Sequence, residues 1–260
     1  MRVVTWNVNS LKARSAYVER YLDAVRPDVV AMQELKLEDD KVPREIFTSR
    51  GYHLETHGQK QYNGVAIASL LPLSDVHCGL EGGDDGQSRL IAATLDGPDG
   101  EKIDLINLYC PQGSTADSPK FQYKLAFYDA LIAWLESLGD LSRTLVVGDL
   151  NIAPDDRDIW DPIGLAGVPS FHPAEHERWA ALCELGLVDV VEARVAPGSY
   201  SFWDYRGAAF RLNEGMRIDH VLAGEDLVDA VHDAGIDRPW RKKQDALAAS
   251  DHAPVWVDLR

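Results

Sequence analysis

Cysteine is scarce in this chain of 260 residues: Cys78, Cys110 and Cys183 stand far apart, odd in number and without a C-x-x-C pair. That spacing argues against a disulfide framework or a structural zinc site and suits a reducing compartment. The H-E-x-x-H zinc motif, the G-x-x-x-x-G-K-[ST] nucleotide loop and the G-x-S-x-G nucleophile elbow are also missing. No apolar run approaches the ~20 residues that a membrane-spanning helix needs. The opening "MRVVTWNV" runs straight into a strand pattern, without the charged head and apolar stretch of a signal peptide. A cytoplasmic location with no membrane partner is therefore expected. Positive charge is the other shortage, 26 Lys and Arg against 42 Asp and Glu, for a net charge of −16. Such a surface repels phosphate at long range, so binding to nucleic acid would have to rest on a local basic face.

What is present reads as one domain over residues 1–260, since no glycine- or proline-rich linker and no repeat interrupts the pattern. Short β-rich runs alternate with amphipathic segments. Strands are expected at 2–8, 28–34, 88–96, 102–110 and 144–149, and near 188–193, 199–205, 217–223 and 253–259. "YHLETHG" and "GVAIAS" flank a polar turn as a hairpin would. Helices are expected at 10–25, stopped by Pro27, at 119–138 and near 176–185. The second is the clearest: Ser118 suits the N-cap, Pro119 the first turn and Gly139 the stop. Phe121, Leu125, Tyr128, Leu131, Ile132, Leu135 and Leu138 form its apolar stripe. Hairpins are too many for a simple parallel wind, which points to an α/β sandwich of two mixed sheets with helices outside.

Acids close several of these strands. Glu34 ends "VVAMQE", Asp149 ends "LVVGD", Asp219 lies amid apolar residues in "GMRIDHVL", and Asp251 with His252 precedes the last strand. Asn7 falls inside "VVTWNVN", where a short amide is disfavoured. Singly, each has a bland reading as a turn residue, the start of a charged loop or a structural histidine. Turn chemistry does not, however, ask apolar strands from both halves of the chain to finish in acids. Carboxylates gathered in a dehydrated volume raise one another's pKa, and a divalent cation relieves that cost. Oxygen-only ligands suit Mg²⁺ or Mn²⁺, and metal-assisted phosphoester hydrolysis is the chemistry that these residue types support.

The fragments "TWNVNSLKAR", "MQELK", "YNGVAIAS", "NLYCPQG", "SPKFQYKLAFYDAL", "GDLNIAP", "YSFWDYR", "GMRIDHVL" and "SDHAPVWV" occur in order along nearly the whole chain. In this set the chain resembles the exonuclease III family of abasic-site (AP) endonucleases, within the endonuclease/exonuclease/phosphatase superfamily that includes deoxyribonuclease I. The resemblance implies a four-layer α/β sandwich and Mg²⁺-dependent incision of duplex DNA 5′ to an abasic site. A 3′-phosphatase or 3′→5′ exonuclease activity on blocked 3′ ends would accompany it, with Mg²⁺ as the cofactor and Mn²⁺ able to substitute for it. It implies Glu34 as principal metal ligand, with Asn7 beside it and Asp251 as an additional ligand. Asp149 would orient and deprotonate the attacking water, and Asn151 would position that water or a phosphate oxygen. His252, paired with Asp219, would hold the scissile phosphate and stabilise charge on its oxygens. Tyr109 would contact the phosphate or assist the leaving oxygen, and Gln112 would be a further phosphate contact. An apolar pocket for the flipped abasic sugar would use Phe202, Met216 and Ile218. Strand alternation lets only one of Phe202 and Trp203 face that pocket, and the family favours Phe202. Arg217 is expected to face substrate, within a basic rim of Lys12, Arg14, Lys36, Arg89, Arg206, Arg211 and Arg241-Lys242-Lys243. A monomer is the family's default. The competing readings are a phosphoesterase of the same fold acting on RNA ends or small phosphoesters, and a non-catalytic nucleic-acid-binding regulator.

Overall fold

The computed structural model describes residues 1–260. Its elements are β1 (Arg2–Asn7), α1 (Leu11–Val25), β2 (Val29–Gln33), α2 (Glu45–Thr48), β3 (His53–His57), β4 (Val65–Ser69), β5 (Ser74–Cys78) and β6 (Leu90–Asp96). They continue with β7 (Lys102–Tyr109), α3 (Pro119–Leu138), β8 (Thr144–Asp149), α4 (Pro173–Glu184), β9 (Val188–Asp189) and α5 (Ala209–Leu212). The chain closes with β10 (Asp219–Ala223), α6 (Glu225–Val228), β11 (Val231–Ile236) and β12 (Val255–Leu259).

The strands form two six-stranded sheets, ordered β11-β12-β1-β2-β4-β3 and β5-β6-β7-β8-β10-β9. Each is antiparallel apart from one parallel pair, β1 with β2 in the first and β7 with β8 in the second. Sequence patterning explains the stacking. In β1, Val3 faces the opposite sheet with Val29, Leu105, Val147, Val221 and Val257, while Val4 and Trp6 face outward. A strand apolar on both faces must be covered on both. The outer face of the first sheet packs on Leu11, Tyr17, Val18, Tyr21 and Leu22 from α1. That of the second packs on Phe127, Tyr128, Leu131 and Leu135 from α3 and Leu182 from α4. These three apolar clusters are the seams of a four-layer sandwich, the expected architecture.

Capping agrees with the sequence. Ser10 and Ser118 accept from the backbone N–H groups of Ala13 and Phe121, and Gly139 ends α3 at φ 82°. Helix α4 starts three residues earlier than expected, at Pro173, because His172 and Glu175 form a reciprocal cap. Two strands escape the sequence reading. β5 is exposed at every position, so it has no apolar alternation to detect. β11 carries an irregularity between Val231 and Asp233 that breaks the period. Conversely, 199–205 is no strand: its backbone makes isolated bridges, Phe202 with Met216 and with His252. No helix is long and apolar enough to cross a membrane.

Candidate active site

The space between the sheets changes character along its length. Beyond the apolar stretch, Gln33 Nε2 donates to Thr5 Oγ1 at 2.9 Å and to Asn107 Oδ1 at 2.7 Å, all three buried. Asn107 Nδ2 in turn donates to the carbonyls of Met32 and Ala66. One further step brings Asn7, Glu34, Tyr109, Asp149, Asp219 and His252 together.

Strand pairing puts them there. Tyr109 and Asp219 are the register partners of Asp149 on its two sides, so all three side chains leave the same face of the second sheet. β7 and β8 are parallel and end together, whereas β10 runs back from that edge with Asp219 as its first residue. Gly148 permits the approach: a Cβ there would lie 2.0 Å from the carbonyl oxygen of Leu108. From the first sheet, Asn7 ends β1, and Glu34 follows β2 in left-handed backbone at φ 54°. Asn151 has the same φ of 54°, a region that asparagine tolerates well and glutamate does not, so Glu34 is the unusual occupant.

Asn7 Nδ2 bridges Glu34 Oε1 and Asp149 Oδ2, each at 2.8 Å, while its Oδ1 accepts from the backbone N–H of Asn9. The other oxygen of Asp149 accepts from the N–H of Asn151 at 3.0 Å, which fixes the carboxylate plane. Lys36 Nζ lies 2.7 Å from Glu34 Oε2 and donates to Asn9 Oδ1. His252 Nδ1 is 2.8 Å from Asp219 Oδ2, and its Nε2 points toward Asp149 Oδ2 at 3.7 Å. That gap is too long for a hydrogen bond and leaves Nε2 without a hydrogen-bond partner.

Burial and charge set the protonation. Burial, with the charges of Asp219 and Glu34, outweighs His252 and the Asn7 hydrogen bond and pushes Asp149 up to about 7. Burial would lower His252, but Asp219 and Asp149 prevail and raise it to about 10, so it is a cation at neutral pH. Burial would also raise Glu34; the charge of Lys36 and hydrogen bonds from Lys36 and Asn7 bring it below the usual range. The Tyr109 phenol, held up by burial and by Glu34 and Asp149, stays protonated.

The donor set suits a hard divalent cation. Three carboxyl groups, Glu34, Asp149 and Asp219, face two cations, Lys36 and His252. Asp219 Oδ1 is buried without a hydrogen-bond partner. Asp149, Asp219 and His252 each offer a ligand atom, all within 4.8 Å of one another. Asp251 stands apart: its Oδ1 accepts from Asn9 Nδ2 and Ser250 Oγ, with Asn9 and Lys36 between it and Glu34.

Phe202 packs on His252 with centroids 4.9 Å apart, and Met216 and Ile218 join it in an apolar patch with Ile159, Phe171 and Leu165. Trp203 faces the other way, buried among Tyr200, Ala209 and Ala253. Gln112 is exposed on the loop after β7, its Oε1 accepting from the N–H of Ser114.

The expectation for Arg217 is corrected. Its side chain is 1% exposed and ion-paired with Asp158 at 2.7 Å and Asp189 at 2.5 Å, so it belongs to neither the substrate surface nor a basic rim. It lies in a strand-like run whose other face holds Met216 and Ile218, and sequence alternation alone did not tell the faces apart. Arg206 is paired with Asp204, and Arg241 is buried against the carbonyls of Asp251 and Trp203. Lys12, Arg211, Lys242 and Lys243 remain exposed. Asn9 was not singled out from sequence, although the second amide in "NVNS" was its one available signal.

Residues 4–252 match the Endonuclease/Exonuclease/phosphatase family. The chain is 36% identical to exodeoxyribonuclease III of Haemophilus influenzae over 273 residues, covering 100% of both. Among solved structures, a Neisseria 3′ phosphatase bound to a product DNA hairpin superposes with a TM-score of 0.92 at 38% identity, over 100% of this chain and 99% of that one. An AP endonuclease from Archaeoglobus fulgidus gives a TM-score of 0.91 at 35% identity, over 100% of this chain and 99% of that one. With its sandwich and its acid-lined inter-sheet cleft, the chain is a hydrolytic nuclease and belongs to the endonuclease/exonuclease/phosphatase family.

Proposed function

We propose that this DNA repair nuclease incises duplex DNA 5′ to abasic sites, leaving a 3′-hydroxyl, and clears blocked 3′ ends by 3′-phosphatase and 3′→5′ exonuclease action. The observation that carries the reading is the register-matched row Tyr109–Asp149–Asp219 facing Asn7, Glu34 and His252. A phosphodiester is anionic and repels hydroxide, so in-line attack needs a positioned base, a donor for the phosphate oxygens and a proton source opposite. Asp149, pinned through both oxygens and raised to about 7, is the base for water. His252, oriented and kept cationic by Asp219, donates from Nε2 to a non-bridging oxygen. The protonated Tyr109 phenol stands beside Asp149 to steady a phosphate oxygen or the leaving oxygen. Asn151 aligns the water, and Gln112 reaches the phosphate from the rim. Glu34 would hold Mg²⁺, replaceable by Mn²⁺, with Asn7 adjoining, whereas Asp251, separated from Glu34 by Asn9 and Lys36, is not placed to share that cation. The cation would supply Lewis-acid neutralisation of the phosphate.

The patch of Phe202, Met216 and Ile218 beside His252 offers an apolar seat for a sugar without a base. Binding would use the cations free of ion pairs at this end, Lys12, Arg14, Arg211, Lys242 and Lys243, and the chain would act as a single-domain cytoplasmic monomer. The test is a duplex oligonucleotide carrying a stable abasic analogue, with Mg²⁺ or with EDTA. Incision 5′ to the lesion that EDTA abolishes is expected; none with the metal present would overturn the proposal. A parallel 3′-phosphate primer separates incision from end cleaning, the activity named for the Neisseria neighbour.

A further inference from the structure

A buried ion pair lies beneath the active-site loops, between helices α3 and α4. The side chains of Lys124 and Glu175 have no solvent exposure and contact each other. Their remaining hydrogen bonds all go to backbone of segments bordering the site. Lys124 Nζ donates to the carbonyl of Asn151 at 2.7 Å and reaches that of Gln112 at 3.4 Å. Glu175 accepts from the N–H groups of Ser170 and His172, each at 3.0 Å. Between those two residues Phe171 inserts into the apolar patch with Ile218, Phe202 and Met216. The Ser170 carbonyl closes the circuit by accepting from the N–H of Ala153 at 2.7 Å.

Stability alone does not account for this arrangement. A buried ion pair is often no better than apolar residues of the same size, since desolvation consumes most of the attraction. The pair does, however, hold the carbonyl of Asn151, which sits in left-handed backbone two residues after Asp149. Asn151 in turn orients Asp149 through its N–H and ties to the Cys110 carbonyl through Nδ2 at 2.9 Å. We propose that Lys124 and Glu175 are positioning residues, a clamp that sets Asn151, and through it the Asp149 carboxylate, relative to the Phe171 side of the apolar patch. The inference rests on the nuclease reading above, because Asn151 and Asp149 matter only if they act on a phosphoester.

The discriminating variant is Lys124→Met with Glu175→Gln, which removes both charges and so leaves no unpaired buried ion. It is expected to fold and melt near the wild-type temperature. Its kcat should fall about 10- to 100-fold on both the abasic duplex and the 3′-phosphate primer, the scale of a misplaced catalytic group, with KM nearly unchanged. Amide exchange at residues 150–153 should quicken in the same variant, a readout that needs no activity. Should that double variant fail to fold, Lys124→Gln with Glu175→Gln, which also leaves no buried charge, carries the same expectations. A folded variant with wild-type kcat and wild-type exchange, or one whose loss falls on KM alone, overturns the clamp. A wild-type enzyme inactive on both substrates would instead overturn the nuclease reading, and amide exchange would then decide the clamp.

Discussion

Strand β10 carries two neighbouring residues, Asp219 and His220, that point to opposite faces of one sheet and serve two buried ionic clusters of different design. On the outer face, Arg217 pairs with Asp158 and Asp189, His220 bonds Asp189 and the Ile152 carbonyl, and every polar side-chain atom of these four finds a partner. On the inner face, Glu34, Asp149 and Asp219 outnumber Lys36 and His252, Asp219 Oδ1 is orphaned, and Asp149 is pushed up to about 7. The outer carboxylate of Asp189 is instead driven far below its usual range: burial opposes this, but Arg217 and His220 prevail. Burial and charge are common to both clusters. Incomplete satisfaction separates them, and it marks the one prepared to receive a cation and a phosphate.

The sharpest way to break the comparison is to neutralise one acid on each face. Asp149→Asn should cost about 10²–10⁴-fold in kcat, the usual worth of a general base, while the melting temperature holds or rises as carboxylate repulsion is relieved. Retained turnover in that variant would dismiss Asp149 as the base. Arg217→Met should behave the opposite way. It strands Asp158 and Asp189 without their cation and should cost about 3–5 kcal/mol in denaturant unfolding, with kcat per folded molecule close to wild type.

A pH profile tests the inner cluster more gently. The base acts when deprotonated, so kcat/KM should rise as pH climbs through about 7 with Asp149. The donor acts when protonated, so it should fall as pH passes about 10 with His252. Asp219→Asn removes the partner that keeps the imidazole charged and should move the alkaline limb to lower pH. An unmoved limb would assign it to another group. The smallest expected effect concerns the surface. DNA binding through a few exposed lysines and arginines on a chain of net charge −16 should weaken steadily with salt, and Lys242→Ala with Lys243→Ala should flatten that slope.

Much of this was legible from local pattern. The helix at 119–138 was bounded correctly because Ser118, Pro119 and Gly139 act within one turn of its ends. Phe202 packs with Met216 and Ile218 while Trp203 turns away, but strand alternation is not the cause, since 199–205 is irregular backbone bridged to Met216 and His252. Arg217 is not legible in the same way, because a cation flanked by Met216 and Ile218 looks the same in sequence whether it meets solvent or two buried aspartates. Nothing in the sequence sets Lys124 and Glu175 apart, because charges within amphipathic helices normally mark the solvated face.

The sequence by itself determined the principal helices with their caps, most of the strands, and the placing of acids and amides at strand ends, because these follow from neighbours within a few positions. Tertiary structure alone decided which of those acids share one volume. Asn7 and Asp149 hydrogen-bond across 142 positions, and Asp219 meets His252 across 33, through sheet pairing that no local pattern encodes. Their altered proton affinities follow from that convergence, since burial and like charge act through space and not along the chain.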